Sequence, residues 1–185
     1  MSVVLDLCGG TGAWSEPWKA THEVISVTLP EQDVRLYQPP KDVNVVLAAP
    51  PCDHFAGSGA RWWAGKGEVK LLEGLAVVDA CLRIIAVTKP RVWCLENPVG
   101  RLRRWLGAPQ ASFNPCDYGD PYTKRTCLWG DFVMPEKSPV KPTDQRIWRM
   151  PPSPDRKEKR SITPPGFAKA FYEANQKTAA ARPRR

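Results

Sequence analysis

The sequence predicts an α/β fold, a mostly parallel β-sheet with helices on both faces. Three observations carry that expectation. Short β-branched runs at residues 3–7, 24–28, 43–49 and 91–95 read as buried strands. A long amphipathic stretch separates the third run from the fourth. A glycine-rich turn follows the first run directly. Strand and helix in alternation build right-handed βαβ units, and such units make parallel sheets.

The elements follow in order. The first run ends in Asp6-Leu7-Cys8-Gly9-Gly10-Thr11-Gly12. Glycines at a strand-to-helix turn let a ligand approach the backbone, and the next helix start offers free N–H groups. A plain tight turn explains such a motif about as well, although ligands in these folds do bind at the carboxyl ends of the strands. The third run ends in Pro50-Pro51-Cys52, where two prolines stiffen the backbone and fix the direction of the thiol. Gly57, Gly59, Gly65 and Gly67 then surround Arg61-Trp62-Trp63, a composition suited to a loop that closes over a substrate. Leu71, Leu75, Val78, Leu82 and Ile85 recur at helical spacing, so residues 68–89 predict an amphipathic helix that Pro90 ends. The fourth run stops at Glu96-Asn97-Pro98. Residues 125–129 read as a further strand, stopped by Gly130. Residues 135–165 hold eight prolines and many charges, which predicts irregular structure there and no second core. Pro164-Pro165 suits a helix entry, with Phe167, Ala170, Phe171 and Ala174 as an apolar stripe, and the chain after Gln176 reads as a frayed tail. There is no internal repeat.

With 185 residues the chain suits one domain with a sizeable core. The expected division is a catalytic core over 1–130, a proline-rich basic segment over 131–163, a closing helix over 164–177 and a basic tail over 178–185. No apolar run approaches the ~20 residues that span a bilayer. The start lacks the marks of a secretory signal, so an intracellular protein with no membrane partner is expected, in the cytoplasm of a bacterial or virus-infected cell or on the nucleoid. The six cysteines include no C-x-x-C pair and are expected to be free thiols. Cys52-Asp53-His54 is too local to converge on one ion, and no metal site is expected. A net charge of +8 points to a polyanionic partner or to solvated basic faces. The excess clusters at Arg101, Arg103 and Arg104, at Arg156, Lys157, Lys159 and Arg160, and at Arg182, Arg184 and Arg185.

Two side chains at strand ends carry the sharpest chemistry. Cys52 taken alone reads more readily as a small structural residue than as a nucleophile. Glu96 closes an apolar strand, where poor solvation should raise its pKa toward the range of a proton donor; taken alone it reads as a cap or a surface acid.

Taken together, the motifs resemble those of the DNA cytosine carbon-5 methyltransferases, in the family's order, over roughly residues 3 to 175. Asp6-Leu7 with Gly10 and Gly12 matches the D-L-F-x-G-x-G cofactor loop. Asp33-Val34 resembles the acidic motif that contacts the adenine. Pro50-Pro51-Cys52 with Phe55 matches the nucleophile motif, and Glu96-Asn97 the E-N motif. Thr123-Lys124-Arg125 before Leu128-Trp129-Gly130 resembles the Q-x-R-x-R strand, with only its last arginine kept. Ser161-Ile162-Thr163-Pro164-Pro165 with Ala168 resembles the closing N-x-V-P-P motif.

That resemblance implies a single Rossmann-like domain, acting as a monomer, that transfers methyl from S-adenosylmethionine to a flipped cytosine in double-stranded DNA, leaving S-adenosylhomocysteine. It casts Cys52 as the covalent nucleophile, Glu96 as the group protonating or hydrogen-bonding ring nitrogen-3, Asn97 as a holder of the exocyclic amine, and Arg125 as the group that binds the ring carbonyl and orients Glu96. Arg125 and the sulfonium are the expected sources of positive charge for the thiol. Cofactor contacts fall to Asp6, Leu7, Cys8, Gly10, Gly12, Thr28, Asp33 and Pro50. Substrate contacts fall to Pro51, Phe55, Arg61, Trp62, Trp63 and Lys124, and phosphate contacts to Arg101, Arg103 and Arg104 and to the cluster Arg156, Lys157, Lys159 and Arg160.

The chain departs from the family where Cys8 replaces an aromatic that stacks on adenine, with Trp14 as a candidate substitute. Thr28 replaces the acid on the ribose, Thr123 an arginine, and Ala56 a common serine. The interval where the family keeps its target-recognition domain holds only about thirty proline-rich residues. Other readings are a weak or inactive nucleic-acid-binding relative, an RNA cytosine-5 methyltransferase, and an unrelated nucleotide-binding α/β domain.

Overall fold

The computed structural model describes residues 2–180, so the basic tail residues Arg182, Arg184 and Arg185 lie outside it. Six strands form one sheet: β1 (Val3–Leu7), β2 (Glu23–Val27), β3 (Val43–Ala48), β4 (Val92–Pro98), β5 (Ala111–Phe113) and β6 (Thr126–Asp131). Their order is β2-β1-β3-β4-β6-β5. The first four run parallel, while β6 pairs antiparallel with both β4 and β5. The expected α/β fold with a mostly parallel sheet is observed, with an antiparallel edge.

Alternation along each strand sorts the core into two layers. Leu5, Leu7, Val46, Ala48, Leu95, Cys127 and Trp129 pack with Val78, Cys81 and Ile84 of helix α1 (Trp63–Thr88). Val4, Val45, Leu47, Cys94 and Leu128 face the other way, onto Phe167, Phe171 and Ala179 of helix α5 (Pro165–Ala180). The described residues also form three short α-helices, α2 (Arg103–Leu106), α3 (Arg146–Arg149) and α4 (Arg156–Ser161), besides short 3-10 turns. The proline-rich stretch is otherwise irregular, as its composition predicts.

Several boundaries differ from the sequence reading. α1 begins five residues before the predicted start, at Trp63, but Gly67 breaks its helical geometry at φ 68°, so the regular body does begin at about residue 68. Lys89, in a left-handed cap ahead of Pro90, ends it. β5, only three residues long, carried too little pattern to be read as a strand. The tail predicted to fray after Gln176 stays helical to Ala180, because Asn44 Nδ2 donates to the Ala179 carbonyl at 2.8 Å and Ala179 is buried. Asn175, one of the polar positions of that helix, is buried and bonds both backbone groups of Val133.

Candidate active site

The carboxyl ends of β1, β3 and β4 open onto a single cleft of about 940 Å³. Its floor brings together Cys8 and Gly9 after β1, Pro50, Pro51 and Cys52 after β3, and Glu96 in β4. Lys124 and Arg125 enter from the start of β6, and α4 with the residues before it supplies the opposite wall. The thiol, the carboxylate and Arg125, far apart in sequence, therefore share one cavity.

The Cys52 loop is held from several directions. Phe55 and Ala56 donate their amides to the Cys52 carbonyl at 2.9 Å, closing a tight turn. Asn97 Nδ2 donates to the Pro50 carbonyl at 2.9 Å, Arg101 Nε to the His54 carbonyl at 2.7 Å, and Lys66 Nζ to the Asp53 carbonyl at 2.6 Å. The Arg101 and Gly57 amides bond the Phe55 and Val99 carbonyls across the gap to the segment after β4. That approach requires a glycine at 100, since a Cβ there would lie 1.9 Å from the Phe55 carbonyl oxygen.

The electrostatics follow from burial. Desolvation pushes the Cys52 thiol up; Glu96 and Asp53 add to the rise, and Lys124 opposes it. Desolvation also raises the Glu96 carboxyl, against the pull of Lys124, in the direction its strand-end position predicts. The cation felt by both groups is thus Lys124. Arg125 instead reaches the Ser112 hydroxyl at 3.4 Å, and its charge acts on Cys127.

The glycine turn has room for a small polar ligand. Asp6 is fully buried and accepts the Ser15 hydroxyl, while its other carboxylate oxygen has no hydrogen-bond partner among the described residues. A side chain at Gly9 would strike that carboxylate at 1.9 Å, and open space surrounds Gly10, which has φ 59°. Cys8 also takes a positive φ, 60°. The turn is therefore an open cradle beside the cleft, and its residues fit a bound cofactor. The Cys8 thiol rests against that of Cys81. Thr28 is half-buried, with its carbonyl taken by the Gln32 amide. Asp33 is engaged by Arg35, whose guanidinium holds it down at about 2.

Six expected ligand contacts take other positions. The Leu7 side chain is fully buried in the core, and Trp63 is half-buried beneath Arg101 and does not line the cleft. Trp14 cannot stack on an adenine in the cleft, because its ring is buried against Phe167 and Phe171 under α5. Phe55 has no exposed surface and packs on Gly74 and the Trp105 ring. Asn97, 1% exposed, lies behind the cleft and acts on the Pro50 carbonyl. Arg101 turns inward over the Trp63 ring at 4.5 Å, so only Arg103 and Arg104 of that cluster stay on the surface. Trp62 does line the cleft, 59% exposed with Arg61 above its ring.

The sequence reading gave residues 156–160 a phosphate-binding role but no place in the cleft. Arg156, Lys157 and Arg160 face the cavity, and Lys157 Nζ pairs with Asp53 at 2.6 Å. The basic run was visible in the sequence, but its distance from the motifs gave no sign of where it folds back. Among the described residues no group of three or more His, Cys, Asp or Glu is placed to hold a metal ion, and no helix is long and apolar enough to cross a membrane.

No family model matches the chain. A protein of Frog virus 3 (isolate Goorha) that bears the name "Probable DNA (cytosine-5)-methyltransferase" is 32% identical over 102 residues. The match spans about half the length of each protein, 50% of this chain and 48% of the relative. Among solved structures, a prophage-encoded candidate DNA modification methyltransferase from E. coli is similar with a TM-score of 0.47 and 16% identity, covering 70% of this chain and 46% of that one. The family resemblance drawn from the motifs is borne out by the name of the viral relative.

Proposed function

We propose that the chain is a DNA cytosine carbon-5 methyltransferase in which Cys52 forms a covalent adduct with a flipped base. The observation that carries this reading is the convergence of Cys52, Glu96 and Lys124 on the cavity that also opens onto the glycine turn. The similarity to the viral protein supports the same chemistry.

Asp6, Cys8, Gly9, Gly10 and Gly12 would hold S-adenosylmethionine, which would supply an electrophilic methyl group to carbon-5 and leave as S-adenosylhomocysteine. The protein's own groups prepare that carbon. Cys52, as thiolate, adds to carbon-6 and turns carbon-5 into an enamine-like nucleophile. Glu96, whose carboxyl burial raises toward the range of a proton donor, gives its proton to ring nitrogen-3 and stabilises the charge that develops there. Loss of the carbon-5 proton to a base then expels Cys52, and the nitrogen-3 proton returns to Glu96. Asn97 is a positioning residue, fixing the backbone at Pro50 that aims the thiol. Trp62, exposed at the rim, is placed to occupy the space left by the base. The partner is double-stranded DNA, whose phosphates the cleft cations and Arg103 and Arg104 neutralise.

Trapping on duplex DNA carrying 5-fluorocytosine tests the reading, because fluorine at carbon-5 blocks the final elimination. An adduct that requires both Cys52 and S-adenosylmethionine is expected; binding without an adduct overturns it. One observation favours a second reading, a binding relative without turnover: burial, Glu96 and Asp53 all hold the Cys52 thiol protonated. That protein would bind DNA and leave fluorocytosine untouched.

A further inference from the structure

Lys124 and Arg125 are neighbours, and alternation sends them to opposite faces of the sheet. Glu96 pairs with Leu128 and Pro98 with Thr126 across the β4–β6 ladder. The Val99 amide bonds the Arg125 carbonyl at 3.2 Å, which carries the extended pairing one step past β6. Lys124 thus shares a face with Thr126, Leu128 and Glu96, whereas Arg125 shares one with Cys127 and Trp129. Ser112 stands opposite Cys127 in β5, and its hydroxyl is the group Arg125 reaches. Burial agrees: Lys124 is half-buried in the cleft, and Arg125 is exposed.

The other cations near the thiol are committed elsewhere. Lys66 binds the Asp53 carbonyl, Arg61 covers the Trp62 ring, and Lys157 pairs with the Asp53 carboxylate. Arg156 and Arg160 enter from α4 on the opposite wall. Facing Cys52 on the acidic side are Glu96 from β4 and Asp53 from its own loop.

We propose that Lys124 is the positioning cation that serves Glu96 and Cys52, and that Arg125 serves the far side of β6. This inference rests on the methyltransferase reading for its purpose but not for its test. With Lys124 in that place, the lysine charge offsets the two carboxylates around the thiol, so its removal makes the thiolate harder to form.

The test follows alkylation of Cys52 by iodoacetamide against pH in the full chain, reading the Cys52 peptide by mass spectrometry. Lys124→Gln is expected to move the midpoint up by about one pH unit, Lys124→Arg to restore it, and Arg125→Gln to leave it where it was. Buried Cys94 reports folding, since it stays unlabelled in any variant that keeps the native core. If Lys124→Gln unfolds the chain, Lys124→Met takes its place in the same titration. An unchanged midpoint without the lysine charge, or an equal shift in Arg125→Gln, overturns the proposal. Fluorocytosine trapping of the unmutated protein runs alongside. Failure there removes the methyltransferase reading while leaving the titration interpretable.

Discussion

The two walls of the cleft are built in opposite ways. The loop from Pro50 to Gly57 is fastened to its surroundings through Asn97, Arg101, Lys66 and the tight backbone crossing at Gly100. The wall formed by α4 reaches across to it through the exposed pair of Lys157 with Asp53, while Ser153 and Lys159 bond nearby Asp155. Exposed ion pairs of this kind contribute about 0–1 kcal/mol. The fastened wall carries the reacting groups, and the one joined to it by an exposed ion pair carries charge. Bond-making chemistry needs atoms placed to within fractions of an ångström, whereas phosphate neutralisation tolerates movement.

The largest effect that would sharpen this contrast comes from Cys52→Ser. Methyl incorporation into duplex DNA should fall roughly 10⁴-fold or more, with urea unfolding nearly unchanged, because the site loses its nucleophile and no packing. Glu96→Gln should cost about 10²–10³-fold in the same assay. It should also alter the pH dependence of stability. The native Glu96 carboxyl lies above its ordinary value of 4.5, so its stabilising contribution is complete below that value and disappears as pH climbs through the raised one. Stability should therefore decline across that window and decline less in Glu96→Gln; part of the slope remains because buried Asp6 is raised too. Urea titrations at a series of pH values read this directly.

Gly100→Ala tests the fastening itself. The added methyl forces the Phe55 backbone away, and a loss of about 1–3 kcal/mol in urea unfolding is expected. An unchanged midpoint would mean that this wall is no firmer than the other. Lys157→Ala should produce the smallest change, under about 1 kcal/mol in stability. DNA binding should weaken uniformly across sequences, with the salt slope reduced by about 1. A loss of methylation rate at saturating DNA would show that α4 takes part in the chemistry.

Much of the fold was legible because its signals are local. The β-branched runs, the leucine spacing of α1 and the prolines at 90 and 164 each act within one element, and all appear within a few residues of their predicted places. The short β5 and the last turn of α5 were not legible, since partners remote in sequence, β6 and Asn44, hold them. The motif residues at 8, 52 and 96 were likewise visible, because strand ends in a parallel sheet point toward a common edge.

What the sequence determined by itself was the sheet, its carboxyl edge, and the thiol and carboxylate placed there, since residue pattern alone sets which strands are buried and where they stop. Only the tertiary structure decided how the neighbours of those groups divide. It buried Trp14 beneath α5, turned Asn97 and Arg101 into braces for the loop, folded α4 over the cleft, and put Lys124 rather than Arg125 on the Glu96 side. The face a residue presents depends on the register of its strand against a partner distant in sequence, and a motif read along one chain does not contain that register.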